Sequence, residues 1–231
     1  MNELPDIVPQ ELRDVALGMA ITADISRSDL LLLRPLPAGQ VRVVAQAQPH
    51  SISPLHADNL IERTWINRDA PVILDAVKKC KRVRAHRDLP GGAPVMQDVR
   101  PIFSHDGRLI GLLSFETSLI QLERHRQRHP SFRRTVEWIK TMCVRGELAG
   151  AAGLSPFHEM DGVLLVDTQR RITYLSGIAN NLFRRLGYME DLRGRWLSYL
   201  GTSDDELAIT AIQSRQPLEC ESNESGHIWV R

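Results

Sequence analysis

Leu12, Val15, Ala16 and Met19 recur at helical steps after Pro9, while Gln10, Glu11, Arg13 and Asp14 fill the other side. This spacing predicts an amphipathic helix over residues 9–23. Leu30–Leu33 and then Val41, Val43, Val44 and Ala45, separated by Pro35, Pro37 and Gly39, predict two short strands joined by a loop. The stretch from about Leu55 to Trp65 reads as helical, as does the pattern Val72, Ile73, Ala76 and Val77. A basic run, Lys78 to Arg87, and a polar Gly/Pro-rich loop, Leu89 to Pro94, follow. Two β-prone runs, Val95–Phe103 and Leu109–Phe115, flank Ser104-His105-Asp106-Gly107, a strong hairpin signal because glycine tolerates the positive φ such turns need. Pro101 cannot donate to a ladder and favours an edge position for the first of these runs.

From Phe132 onward the apolar positions Phe132, Val136, Ile139 and Cys143 step by four, three and four, the spacing of a two-helix seam. A dimer contact through that seam and packing on the helix's own domain both fit, since Trp138 and Met142 widen the stripe. Gly146, Gly150 and Gly153 then loosen the chain. Beyond them Gly162–Val166 and Ile172–Leu175 predict a tight antiparallel pair across a polar turn, Asp167–Arg171. Ser176 is placed to cap a helix that buries Ala179, Leu182, Phe183 and Leu186 and ends at Gly187. Thr202 or Ser203 is placed to cap a further helix with Asp204, Asp205 and Glu206 in its first turn, where the dipole favours them, and Ala208, Ile209 and Ile212 toward its core. The chain then reaches Trp229-Val230-Arg231 inside an expected strand, so this last module reads as cut before its sheet is finished.

These elements describe an α+β protein in two domains: residues 1–146 with an antiparallel sheet and a terminal helix, a linker over 147–156, and a smaller, C-terminally incomplete α+β domain over 157–231. The 231 residues carry 29 basic and 28 acidic side chains, a net charge near +1, so no global field points to nucleic acid or a membrane as partner. Cys80, Cys143 and Cys220 are odd in number and widely spaced, which argues against a disulfide framework or a zinc site and fits a reducing cytoplasm. The longest apolar run, Leu30–Leu33, is far below the roughly 20 residues that span a bilayer.

The segments DGVLLVD, ITYLS, ANNLFRRLGY and the Arg193-Gly194-Arg195 turn resemble the first two strands, short helices and following turn of a PAS domain. Upstream, the element order and the hairpin RPIFSHDGRLIGLLSFET resemble a GAF-like fold. The pair in this order is similar to the N-terminal sensory region of cytosolic two-component sensor histidine kinases. That resemblance implies signal sensing and dimerisation, with autophosphorylation carried out by a kinase core in the same polypeptide after Arg231 and a response regulator as partner. The residues in hand then carry no catalysis. A sensory module of a transcriptional or RNA-binding regulator is the alternative, and an enzyme with Cys80, flanked by Lys79 and Lys81, as nucleophile is a third.

Candidate sites are few. In the PAS-like part, Phe183, Leu186, Trp196 and Leu197 either line a ligand cavity or fill the core. The dimer helix residues are Phe132, Val136, Ile139 and Cys143. His125 and His129 are four apart, but Pro130 follows and Arg124, Arg126 and Arg128 surround them, so no metal site is expected. His158-Glu159 follows Pro156 and precedes a strand, a poor setting for a phosphoacceptor. Gly91-Gly92 lacks the strand-to-helix setting of a phosphate loop. No motif specifies haem, flavin or another cofactor, and no residue set specifies the ligand.

Overall fold

Leu30–Leu33 are all fully buried, which a strand achieves only when both faces of its sheet are covered. In the computed structural model they sit in β1 (Asp29–Leu36), an inner strand of a six-stranded, wholly antiparallel sheet. Residues 8–66, 69–89, 92–224 and 227–230 are described. They divide into two units, Met1–Ala152 and Gly153–Arg231. Pro90 and Gly91 of the expected polar loop, and Arg231, lie outside the described residues.

The first unit orders its strands β3-β2-β1-β6-β5-β4, with β2 Gln40–Ala47, β3 Thr64–Trp65, β4 Val83–Asp88, β5 Pro94–Phe103 and β6 Leu109–Ser118. The hairpin β5–β6 closes through the bonds Gly107 N to Ser104 O and Ser104 N to Arg108 O, both 2.9 Å. One sheet face, with Leu31, Leu33, Val43, Val99 and Leu112, packs on Ile73, Leu74 and Ala76 of α3 (Pro71–Lys79). The other face receives α2 (Met19–Ser26) and α5 (Pro130–Val144), with α1 (Gln10–Leu17) packed on α2 and α4 (Leu119–Arg126) against β5 and β6.

Four features depart from the sequence reading. The first helix breaks at Gly18, whose N–H bonds Val15 O, three residues back. A Cβ at Gly18 would stand 2.7 Å from Leu148 Cβ, so the close approach of that later segment requires glycine there. The expected helix over 55–65 is an irregular loop ending in β3. The Asp29 carboxylate takes the N–H groups of Leu55 and His56, and Gln46 Oε1 takes that of Leu60, donors that a helix would have used itself. The basic run holds β4, an edge strand with Arg84, His86 and Asp88 exposed, charges that discourage further pairing. Finally, β5 is an inner strand. Pro101 is accommodated because pairing with β4 stops at Val99.

The second unit is smaller. β7 (Leu164–Val166) and β8 (Ile172–Leu175) form one antiparallel pair, and β9 (Glu221–Glu224) and β10 (His227–Val230) another. Ser176 caps α6 (Gly177–Arg185) by accepting from Ala179 N (3.1 Å) and also takes Val163 N (3.0 Å), so one hydroxyl joins strand and helix. Ile172, Phe183, Leu192, Leu197 and Leu200 form the core, with Ala208 of α7 (Asp204–Ser214) against it. α7 has no side-chain cap: Ser203 stands at its N-cap position, while the Thr202 hydroxyl bonds Asp204 instead. Ile212, expected to face the core, lies one turn beyond Ala208 on the same side of the helix and is 55% exposed.

Candidate functional site

The register of three adjacent strands places Asp29 of β1 opposite Glu116 of β6, and Glu116 opposite Gln97 of β5. All three are fully buried, and such groups need partners to offset lost hydration. Gln97 Nε2 donates to Glu116 Oε1 (2.6 Å) and Ser114 Oγ (3.1 Å). His56 Nε2 bonds Glu116 Oε2 at 2.6 Å, and Asp29 accepts from the backbone of Leu55 (3.0 Å) and His56 (3.2 Å). A second histidine, His50, holds Asp24 Oδ1 through its ring Nδ1 (3.0 Å) and its backbone N–H (2.6 Å). The irregular loop between β2 and β3 is thereby strapped across a polar patch of the sheet. Burial pushes the Asp29 carboxyl above its ordinary range, against the pull of the Leu55 and His56 N–H groups.

The next residue along β5 turns to the opposite face. There Asp98 accepts two bonds from Arg82 (2.7 and 2.6 Å) and a 2.9 Å bond from Arg100. Arg100 continues to Glu137 of α5 (2.9 and 3.0 Å), as does Arg82 (2.9 Å). Burial alone would raise the Asp98 and Glu137 carboxyls, but the two guanidiniums outweigh it and hold both below the usual range. Lys140, one turn on, sets its ammonium 4.8 Å from the Phe115 ring centre, and burial pushes it down to about 8. Strands β5 and β6 therefore carry a polar network on each face, one ending in the strapped loop and the other in α5.

The Lys140 shift has a measurable consequence. Its folded pKa of about 8 lies below the ordinary 10.5, so between these values the unfolded chain binds more protons and stability rises with pH. Lys140→Met is expected to be more stable than the parent at pH 7, by at most about 3 kcal/mol. That advantage should shrink between pH 8 and 10.5. Urea unfolding at pH 7 and pH 10 checks this, and a difference that does not change with pH would contradict it.

The residues singled out from sequence are placed as follows. Phe132, Val136 and Cys143 are buried and Ile139 is half-buried, on the side of α5 that meets α2, with Cys143 Sγ 3.8 Å from Val15 O. The face of α5 left to solvent carries Trp138 and Met142, 58% and 38% exposed. In the second unit Phe183 and Leu197 are core, and Trp196 is a surface residue with the Arg171 guanidinium 3.8 Å from its ring centre. Leu186 lines an open cleft of about 470 Å³ with Tyr188, Leu200, Ser203 and Asn223. Cys80 ends α3, exposed, its thiol bonded to Val77 O (3.4 Å) and to no base among the described residues. His129 caps α5 through Nδ1, which accepts from Ser131 N (3.2 Å), while His125 lies on α4. His158 sits in a turn, its N–H on Asp161 (2.6 Å). The buried row Asp29, Glu116 and Gln97 and the pair Asp98 and Arg100 were not singled out from sequence.

A six-stranded antiparallel sheet with helices on both faces and buried polar groups under a strapping loop defines a sensory domain of the GAF class. The family model for the GAF domain of the histidine kinase PdtaS matches residues 3–135, more than half of the chain. The chain belongs to that family and contains a histidine kinase sensory domain. No curated protein sequence matches it. Among solved structures, the sensor region of a sensor histidine kinase superposes with a TM-score of 0.67 at 17% identity, covering 97% of this chain and 86% of that one. At such identity the likeness establishes the fold. An IclR transcriptional regulator from Alicyclobacillus acidocaldarius aligns at a TM-score of 0.42 and 11% identity over 64% of this chain and 70% of that one. The C-terminal domain of a transcriptional regulator from Vibrio cholerae aligns at 0.42 and 10% over 61% and 98%.

Proposed function

We propose that this chain receives a signal and controls autophosphorylation by a kinase core in the same polypeptide, from which the phosphoryl group passes to a response regulator. The observation that carries the reading is the two-faced strand pair: Glu116, held by Gln97, meets the strapped loop at His56, while on the other face Asp98 reaches Glu137 through Arg100 and Phe115 meets Lys140. A ligand that moves the strap shifts the position of α5 if it favours one of two arrangements, as any switch requires. The second unit fits the opening part of a PAS domain by its order of strands and helices. A homodimer belongs to the same reading, and the α5 face open to a second copy is that of Trp138 and Met142, because the stripe from Phe132 to Cys143 is covered by its own unit. A cytoplasmic location is proposed with it: no helix among the described residues is long and apolar enough to cross a membrane.

The test is autophosphorylation of the full polypeptide, including its kinase core. Glu137→Gln keeps α5 helical but weakens its hold on Arg100, and Glu116→Gln does the same for the strap through His56. Each is expected to change the autophosphorylation rate about fivefold or more, the lower end of the usual range of coupling between sites. Unchanged rates in both variants would sink the assignment. A helix-turn-helix after Arg231, in place of a histidine-bearing helix pair, would favour a transcriptional regulator.

A further inference from the structure

In the first unit a narrow cleft opens between the end of α2 and the face of α4. Ser26 and Gln121 line it, only 7% and 9% exposed, and neither Ser26 Oγ nor Gln121 Oε1 has a hydrogen-bond partner. A buried polar atom with its bond unmade is costly, so two at one place mark a position that a ligand atom would satisfy. The same cleft is lined by Arg124, His125 and Arg128. Among the described residues neither arginine has a carboxylate partner, and Arg128 lies 5.3 Å over the ring of Phe132. His125 is held below its ordinary pKa by burial first, then by Lys140, Arg133 and Arg128, with Glu137 the opposing charge. Unpartnered hydrogen-bonding atoms and positive charge without a carboxylate partner thus converge from α2, α4 and the turn that follows α4.

The chemistry and the space together select a ligand. The enclosed space is about 20 Å³, enough for one oxygen-sized group by the measure of about 10–15 Å³ that holds a water. We propose that the cleft binds the phosphoryl group of a small phosphorylated molecule. One phosphoryl oxygen sits on the floor, accepting from the Ser26 hydroxyl and from the Gln121 amide, whose nitrogen and oxygen exchange by a half turn. Two oxygens remain for Arg124 and Arg128, whose planar forks match phosphate. A carboxylate with one oxygen on the floor would leave a single oxygen for two guanidiniums, and a water would leave their charge unanswered. The site stands apart from the output assignment above, because its occupancy is read without any kinase activity.

The test follows the His125 ring by NMR across a pH titration, with inorganic phosphate, chloride or acetate as the salt at equal ionic strength. An anion bound beside the ring offsets the repulsion of its cationic neighbours, so phosphate is expected to raise the His125 pKa by about half a unit or more, saturably. Ser26→Ala, a near-isosteric change, should weaken the apparent phosphate affinity about tenfold, the loss of one hydrogen bond to a charged group. The double variant Arg124→Gln with Arg128→Gln removes both guanidiniums and should abolish the phosphate-dependent rise, whatever its His125 pKa in chloride. The same pKa in phosphate and chloride, an equal rise in acetate, or a rise that survives in the double variant would each overturn the proposal.

Discussion

Asp98→Asn is expected to cost the first unit about 3–5 kcal/mol, the usual result of removing one partner from a buried ionic network. The carboxylate is 6% exposed and binds both Arg82 and Arg100. Its loss leaves those two guanidiniums and the buried Lys140 ammonium with Glu137 as the remaining carboxylate of the cluster. Urea unfolding measures the cost, and a loss below about 1 kcal/mol, the value of an ordinary exposed pair, would refute it. The pH dependence gives a second check. Asp98 has a depressed folded pKa, so its stabilisation is present above the unfolded value of 3.8 and is lost as pH falls through the folded one. The variant should therefore lose less stability than the parent on going from pH 4 to pH 2. Adding Lys140→Met to Asp98→Asn should recover part of the loss, because the two sites share a field and their effects do not add.

Gly162→Ala is expected to have the largest effect in the second unit. A Cβ there would stand 2.6 Å from both the backbone N and Cα of Ala179 in α6. Those atoms belong to the helix backbone beside the Ser176 cap, so relief comes only from moving α6 away from β7. Overpacking a well-filled site costs about 1–3 kcal/mol, and a clash with backbone belongs at the upper end. Thermal or urea unfolding should show one transition displaced and that of the first unit unchanged. An undisturbed second unit would mean that the helix and strand separate without strain.

Where local chemistry decided the structure, the sequence was readable. The β5–β6 hairpin follows from its Ser104-His105-Asp106-Gly107 turn, and α6 from the Ser176 cap and the spacing of Ala179, Leu182 and Phe183. Where side chains from elsewhere decided it, local pattern misled. Residues 55–65 have helical spacing, but Asp29 and Gln46, both distant in sequence, take their N–H groups. The apolar spacing of Phe132, Val136 and Cys143 is real, yet it does not say which surface it serves. In the structure that stripe meets α2. β4 was hidden because an edge strand rich in arginine has the composition of a solvated run. The polar rows were illegible for another reason. Gln97, Asp98, Arg100 and Glu116 look like outward-facing members of half-wet strands, and only covering both faces of the sheet makes them interior. Ser26 and Gln121 gave no signal at all, since an unmet hydrogen bond exists only in three dimensions.

Because Gln97 and Asp98 are neighbours on one strand and serve opposite faces, β5 cannot slide by a single residue. Such a slip would carry Asp98 and Arg100 to the strap and Gln97 to α5, parting Asp98 from Arg82 and Arg100 from Glu137. The strand pair is thus locked lengthwise, and its register alone fixes which side chains meet the loop and which meet α5.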